Sequence, residues 1–113
     1  MSKLKVWLDD CRPMPKNEGY DVHVKTSKEA IALIEANKVG YMSFDHDLGY
    51  DVVSGLFDYS AGTGYDVAKV VERLAYEGKI DPFEWYVHSM NPTGADNIIA
   101  AMKKAEEFWT AAK

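Results

Sequence analysis

The stretch Leu4-Lys5-Val6-Trp7-Leu8-Asp9-Asp10 decides the reading of this chain. Leu4, Val6 and Leu8 recur at every second position, the period of a strand with a buried face. The run stops at two aspartates. We therefore expect a first strand over residues 3–8. The residues that follow, Cys11-Arg12-Pro13-Met14-Pro15, hold two prolines two apart. Proline lacks an N–H and clashes with the preceding turn, so no regular helix passes through them. Tyr20 to Lys25 alternates again, with Val22 and Val24 on one face and His23 on the other, and reads as an edge strand.

Working downstream, Thr26 or Ser27 caps a helix, and Glu29 stands three residues after Thr26 in capping-box spacing. Ala30, Ile31, Leu33 and Ile34 form its apolar face. A third strand covers 39–44 and ends in Asp45-His46-Asp47. A helix over about 64–77 repeats Val67, Val70, Val71 and Leu74 at helical spacing. Residues 83–88 form a fourth strand. The last helix starts near Asn91-Pro92, where proline suits the first turn. Its buried stripe is Ile98, Ala101, Met102, Ala105 and Phe108, and of the adjoining Phe108 and Trp109 one is expected at an exposed interface. Strands alternating with helices require crossover connections and a mainly parallel sheet. The expected order is 2-1-3-4, with the more polar strands 2 and 4 at the edges. The connection between the first two strands is short and shows no helix.

The chain has 113 residues, which is one domain over 1–113. Its 47% hydrophobic and 27% charged content is that of a globular protein and argues against disorder. Thirteen Lys and Arg against 18 Asp and Glu give a net charge of −5. That balance disfavours long nucleic acid, whose binding rests on phosphate neutralisation. It leaves room for a small nucleotide or other phosphorylated ligand at a local site. Cys11 is the single cysteine, which excludes an internal disulfide and a Cys-rich zinc module. A signal-peptide pattern and a membrane-length apolar run are both missing, so we expect a cytoplasmic protein with no membrane partner.

In an open parallel sheet, ligands bind beyond the carboxyl ends of the strands. The first strand delivers Asp9, Asp10 and Arg12 there. The third delivers Asp45, His46 and Asp47, and the fourth His88, Ser89 and Asn91. The carboxylates of Asp9, Asp10, Asp45 and Asp47 repel one another, and a hard divalent cation such as Mg²⁺ would relieve that repulsion. Some of these aspartates can instead cap loops or helix N-termini, but the strand-end position favours a functional cluster for Asp9, Asp10 and Asp45 and leaves Asp47 open. His46 and His88 beside carboxylates make an acid–base pair, whereas His23 and Cys11 read as structural. Thr63-Gly64-Tyr65-Asp66 and Thr93-Gly94-Ala95-Asp96 both have a threonine cap with an acid three residues on. Free N–H groups beside glycine can hold a phosphate at such starts, with Arg12 adding a bidentate contact. Asp66 and Asp96 weaken the positive potential there, and plain helix capping explains each start taken alone. Gly49 to Gly62 is a connection of 14 residues, long for a strand-to-helix link. Its Tyr50, Phe57 and Tyr59 suit either a lid that stacks on a base or a loop pinned to the body.

Four segments together, Leu8 to Pro15, Ser43 to Gly49, Thr63 to Ala68 and His88 to Asn97, resemble the cyclic-phosphate processing receiver-like domain family, and the match spans nearly the whole chain. The resemblance implies a compact α/β receiver or flavodoxin-like three-layer fold with a four-stranded sheet and no fifth strand. It implies processing of cyclic phosphates, such as 2′,3′-cyclic ends of RNA or related nucleotides. By resemblance Asp9 and Asp10 match the metal-binding acidic pair, Asp45 or Asp47 the acid of the third strand, and Ser89 the hydroxyl ending the fourth. His46, His88 and Asn91 belong to the specialised family's pattern. The phosphoryl-stabilising lysine of ordinary receivers has no counterpart, which favours a repurposed site.

The function expected first is therefore hydrolytic opening of a cyclic phosphate. His46, His88 and Asp45 would carry the chemistry. Arg12, Ser89, Asn91, Thr63, Gly64, Thr93 and Gly94 would hold the phosphate, and Asp9, Asp10, Asp45 and Asp47 would hold Mg²⁺. A module that sequesters a cyclic nucleotide without chemistry is the alternative, and a phosphoacceptor receiver is the third.

Overall fold

The structure is a computed structural model that describes residues 3–10, 12–45, 48 and 62–111. Among the described residues the chain runs β1 (Leu4–Leu8), β2 (Val22–Val24), α1 (Ser27–Glu35), β3 (Val39–Phe44), α2 (Gly64–Tyr76), β4 (Glu84–Val87) and α3 (Pro92–Ala111). The four strands are all parallel, in the order β2-β1-β3-β4. Cys11, His46, Asp47 and the aromatic segment with Tyr50, Phe57 and Tyr59 lie outside the described residues.

Topology decides what covers each face of this sheet. The β2–α1–β3 and β3–α2–β4 connections both move across the sheet in one direction. Right-handed crossovers put both helices on the same face, and α3 packs against α2 there. The β1–β2 connection moves the other way, so it falls on the opposite face. It is the proline-bearing segment that cannot be a helix. Among the described residues the layers are therefore unequal: three helices on one side, and the 12–21 connection on the other.

The side chains follow that division. Successive strand residues point to opposite faces. Val6, Leu8, Val24, Met42 and Phe44 face the helices and join Ala30, Ile34, Val67, Val71, Ile98 and Met102 in one buried cluster. The other face carries Trp7, Ser43 and Tyr86, aligned across β1, β3 and β4 by register.

The helix boundaries have local causes. Thr26 caps α1 by accepting from the Glu29 N–H at 3.2 Å. Thr63 and Asp66 form a full reciprocal capping box at α2. Asn37 ends α1 with φ of 58° and Gly78 ends α2 with φ of 70°. At each end the next two N–H groups turn back to the last helical carbonyls: Asn37 to Ile34 and Lys38 to Leu33, Gly78 to Ala75 and Lys79 to Leu74. These are Schellman closures, which satisfy otherwise orphaned acceptors.

α3 differs from the reading that Thr93 caps it. Asn91 is the cap, its side chain accepting from the Gly94 N–H at 2.9 Å and its carbonyl from Ala95 at 2.8 Å. Pro92 takes the first helical position, as its fixed φ favours, and Thr93 lies inside the helix, exposed. The end of the buried stripe also differs. Trp109 is buried, edge-on to Phe83 at 5.4 Å, while Phe108 is partly buried against Tyr76 at 5.1 Å. Neither ring stands free at an interface. Both positions lie one turn beyond Ala105, so the apolar face is wide enough to take both. No helix of the described residues is long and apolar enough to cross a membrane.

Candidate functional site

The carboxyl edge of the sheet continues the pleat of the open face. Asp9, Asp45 and His88 each follow the last residue of a strand. The N–H of Asp9 donates to Val24, that of Asp45 to Leu8 and that of His88 to Phe44, so all three stay in the ladder. Two residues after Trp7, Ser43 and Tyr86, they project from the same face. One row of the sheet thus becomes Trp7–Ser43–Tyr86 and the next Asp9–Asp45–His88.

Asp9 is the hub of this row, and its side chain is fully buried. Burying a carboxylate costs several kcal/mol unless charged or hydrogen-bonding partners replace water. Asp9 has them. Its Oδ1 accepts from the Arg12 N–H at 2.8 Å, and its Oδ2 accepts from the Arg12 guanidinium at 3.3 Å and from His88 Nε2 at 2.9 Å. Its main-chain carbonyl accepts from His23 Nε2 at 2.7 Å, which gives His23 a structural place on the edge strand.

Arg12 ties the edge together. Its Nη1 also donates to the His88 carbonyl at 3.2 Å and lies 4.0 Å from Asp45 Oδ1. The guanidinium therefore spans from the end of β1 to the end of β4, past the end of β3. Its side chain keeps 41% of its exposure, so donors remain for a ligand.

His88 is held on every side. Nε2 donates to Asp9, so Nδ1 accepts from the Ser43 hydroxyl at 2.7 Å. Its ring stacks on Trp7, with centroids 3.9 Å apart and planes 5° from parallel. The Ser43–His88–Asp9 connectivity has the form of a nucleophile–base–carboxylate relay. Ser43 is only 1% exposed, however, and a nucleophile must reach its substrate. Its hydroxyl fixes the tautomer and plane of the imidazole instead.

Asp9, Asp45 and His88 also offer ligand atoms within 4.8 Å of one another, and such a group can hold a metal ion. Two carboxylates and an imidazole suit a borderline divalent ion, while the all-oxygen shell that Mg²⁺ prefers would need further ligands. Asp10, half-buried in the bend after β1, lies outside this group.

The helix starts are occupied by structural duties. The Thr63 hydroxyl is spent on the Asp66 N–H. Gly64 is buried, and a Cβ there would stand 1.9 Å from the Asp45 carbonyl oxygen. Its bareness thus lets α2 close onto the end of β3. Ser89 accepts from the Asn91 N–H at 3.1 Å, and Asn91 caps α3 with Gly94 in its first turn, so these residues organise the passage from β4 into α3.

The sequence reading singled out Asp9, Asp45, His88 and Arg12, and the fold brings these four together. Ser43 and Trp7 escaped it. Their signal was the second face of the strands, where a serine and a tryptophan hold positions in register.

A parallel four-stranded sheet with two acids, an arginine and a histidine gathered at its carboxyl edge defines a receiver-like α/β domain. A family model described as the cyclic-phosphate processing Receiver domain matches residues 4–104, and the chain belongs to that family. No curated protein and no solved structure matches it.

Proposed function

We propose that this domain opens a cyclic phosphate of a nucleotide or RNA end by hydrolysis at the Asp9–His88–Arg12–Asp45 edge. The observation that carries this reading is the buried Asp9–His88 pair clasped by one half-exposed guanidinium. Ring opening forms a bond from water oxygen to phosphorus and breaks one phosphorus–oxygen bond of the ring. The water loses a proton and the departing sugar oxygen gains one. Asp45, the acid at the end of β3, stands where it can take the first proton. His88, protonated before the step with Asp9 stabilising the cationic imidazole, would give the second and return to the neutral ring, after which the proton on Asp45 returns to solvent. Arg12 supplies the positive charge that the phosphoryl oxygens require as charge builds on them. A divalent ion would be held by Asp9, Asp45 and His88, and would supply Lewis-acid stabilisation of the phosphoryl oxygens in place of the proton transfers given to Asp45 and His88.

The engagement of both His88 nitrogens, by Ser43 and by Asp9, favours a second reading. A ring so fully satisfied also suits a rigid receptor that sequesters a cyclic nucleotide intact. Phosphorus-31 NMR separates the two. The purified protein is incubated with nucleoside 2′,3′- and 3′,5′-cyclic phosphates and cyclic-phosphate RNA ends, with Mg²⁺, Mn²⁺ or EDTA. We expect a new monoester resonance that falls at least about 100-fold in rate in H88A and that also falls in D45N. Both variants are checked for native circular dichroism. Full activity in folded H88A removes the proposed role of the histidine. A broadened but unconverted phosphorus signal assigns the domain to sequestration.

A further inference from the structure

The tyrosines of the cleft beside the charged edge have no part in the chemistry above. On the open face of the sheet, Trp7, Tyr20, Tyr41 and Tyr86 surround a pocket of about 400 Å³, with Ser43 and His88 also lining it. Trp7 and Tyr20 meet edge to face at 5.3 Å, and Tyr20 and Tyr41 at 6.0 Å. Tyr86, on the edge strand β4, is 60% exposed. Among the described residues the helices lie on the opposite side, and Tyr20, Tyr41 and Tyr86 are left partly bare, while Trp7 is buried beneath the His88 ring.

We infer that this cleft is a nucleobase subsite for the same ligand whose cyclic phosphate the charged edge receives. Three observations point to that occupant. First, pocket and edge share His88. Its ring lines the cleft and stacks on Trp7, while its Nε2 reaches Asp9. A ligand with a planar ring joined to a phosphate can therefore occupy both at once, one strand row apart. Second, the walls are flat rings, which stack on any base without demanding its sequence. Third, the cleft is not simply greasy. Tyrosine hydroxyls and the Glu18 side of the 12–21 connection border it, and Lys5 lies 4.6 Å from the Tyr20 centroid and 5.0 Å from that of Tyr41. The edge atoms of a base can add hydrogen bonds to such a polar border, which an alkyl chain cannot. The size falls within the range of small-ligand pockets, roughly 300–1,000 Å³.

This inference rests on the cyclic-phosphate reading, and its test keeps the two apart. Adenosine, which has no phosphate, is titrated into nitrogen-15-labelled protein while the Trp7 indole N–H is followed. Trp85 and Trp109 serve as controls outside the cleft. We expect a saturable shift of Trp7 alone, and about tenfold weaker binding in Y86A, since losing one stacking partner costs on that order. A Trp7 signal unmoved by millimolar adenosine, or equal binding by folded Y86A, overturns the subsite. In parallel, adenosine 2′,3′-cyclic phosphate is compared with the base-free methyl riboside 2′,3′-cyclic phosphate. Preference for the base-bearing compound, reduced in Y86A, supports the subsite. Equal conversion of both overturns it and leaves cyclic-phosphate chemistry standing. A Trp7 shift with adenosine while neither compound is opened supports the subsite and removes the hydrolytic reading.

Discussion

Tyr41 shows what one residue on the open face contributes. Burial, then the neighbouring Tyr20, raises its pKa from 10.0 to about 12. Tyr86 and Glu18 push in the same direction, because each would repel a phenolate. The sign for stability follows from linkage. An unfolded Tyr41 loses its proton near pH 10, while the folded one keeps it until about 12. Stability is therefore full below the unfolded value and declines as pH rises through the folded one, since only the unfolded chain gains by ionising. Urea midpoints should fall between about pH 10 and about pH 12, and Tyr41→Phe should flatten that fall. An unchanged slope in the variant would assign the alkaline loss to another group. Tyr41 also marks a limit of sequence reading. Strand alternation shows that it faces away from Met42, but nothing local shows which rings three strands bring around it. Ser43 is the same case, since its partner His88 lies 45 positions away. Asp9 and Asp45 were legible because a strand's last residue falls at the carboxyl edge whatever the details of packing.

At the scale of elements, the strands and helices were legible within a residue or two. The period of Val67, Val71 and Leu74 and the caps at Thr26 and Thr63 are local signals. The start of α3 was harder, because Asn91 and Thr93 are both good caps, and the proline between them decides in favour of Asn91. What no periodicity reveals is the fit of one element to another. Gly64 is the clearest instance: it reads as a loose phosphate-loop glycine, yet it is a contact point. In G64A the new Cβ would meet the Asp45 carbonyl at 1.9 Å and Ile98 Cδ1 at 3.0 Å. Backbone cannot yield as a flexible side chain does, so α2 must move away from β3. We expect a loss of about 1–3 kcal/mol in urea unfolding, with altered chemical shifts at Asp45 and Arg12. Gly78 gives the control. A Cβ there meets nothing within 4 Å, and only its φ of 70° opposes alanine. G78A should cost about 1 kcal/mol and leave the Asp45 and Arg12 signals in place. Undisturbed site signals in G64A would mean that α2 does not brace the end of β3.

At the scale of the whole molecule, the two faces of the sheet divide the work. Among the described residues the helical face holds the buried cluster, in which Ile98 and Val71 are wholly enclosed. The other face keeps Tyr20, Tyr41 and Tyr86 partly in water, beside a short connection whose described residues form no helix. A sheet with helices on both sides would have closed the cleft over Tyr20, Tyr41 and Tyr86. The missing helix of the β1–β2 connection follows from Pro13 and Pro15, so two prolines set both the thinness of that layer and the access to the site. This division can be measured. I98A removes a fully buried side chain and should cost about 2–5 kcal/mol. Y86A removes a larger side chain that is already 60% exposed, and should cost no more than about 1 kcal/mol. Urea unfolding of the two variants at equal m-values decides the matter. Similar losses would make the open face part of the folding core, whereas a large difference shows that stability is carried by the helical side and that the aromatic side is free to be shaped by what it binds.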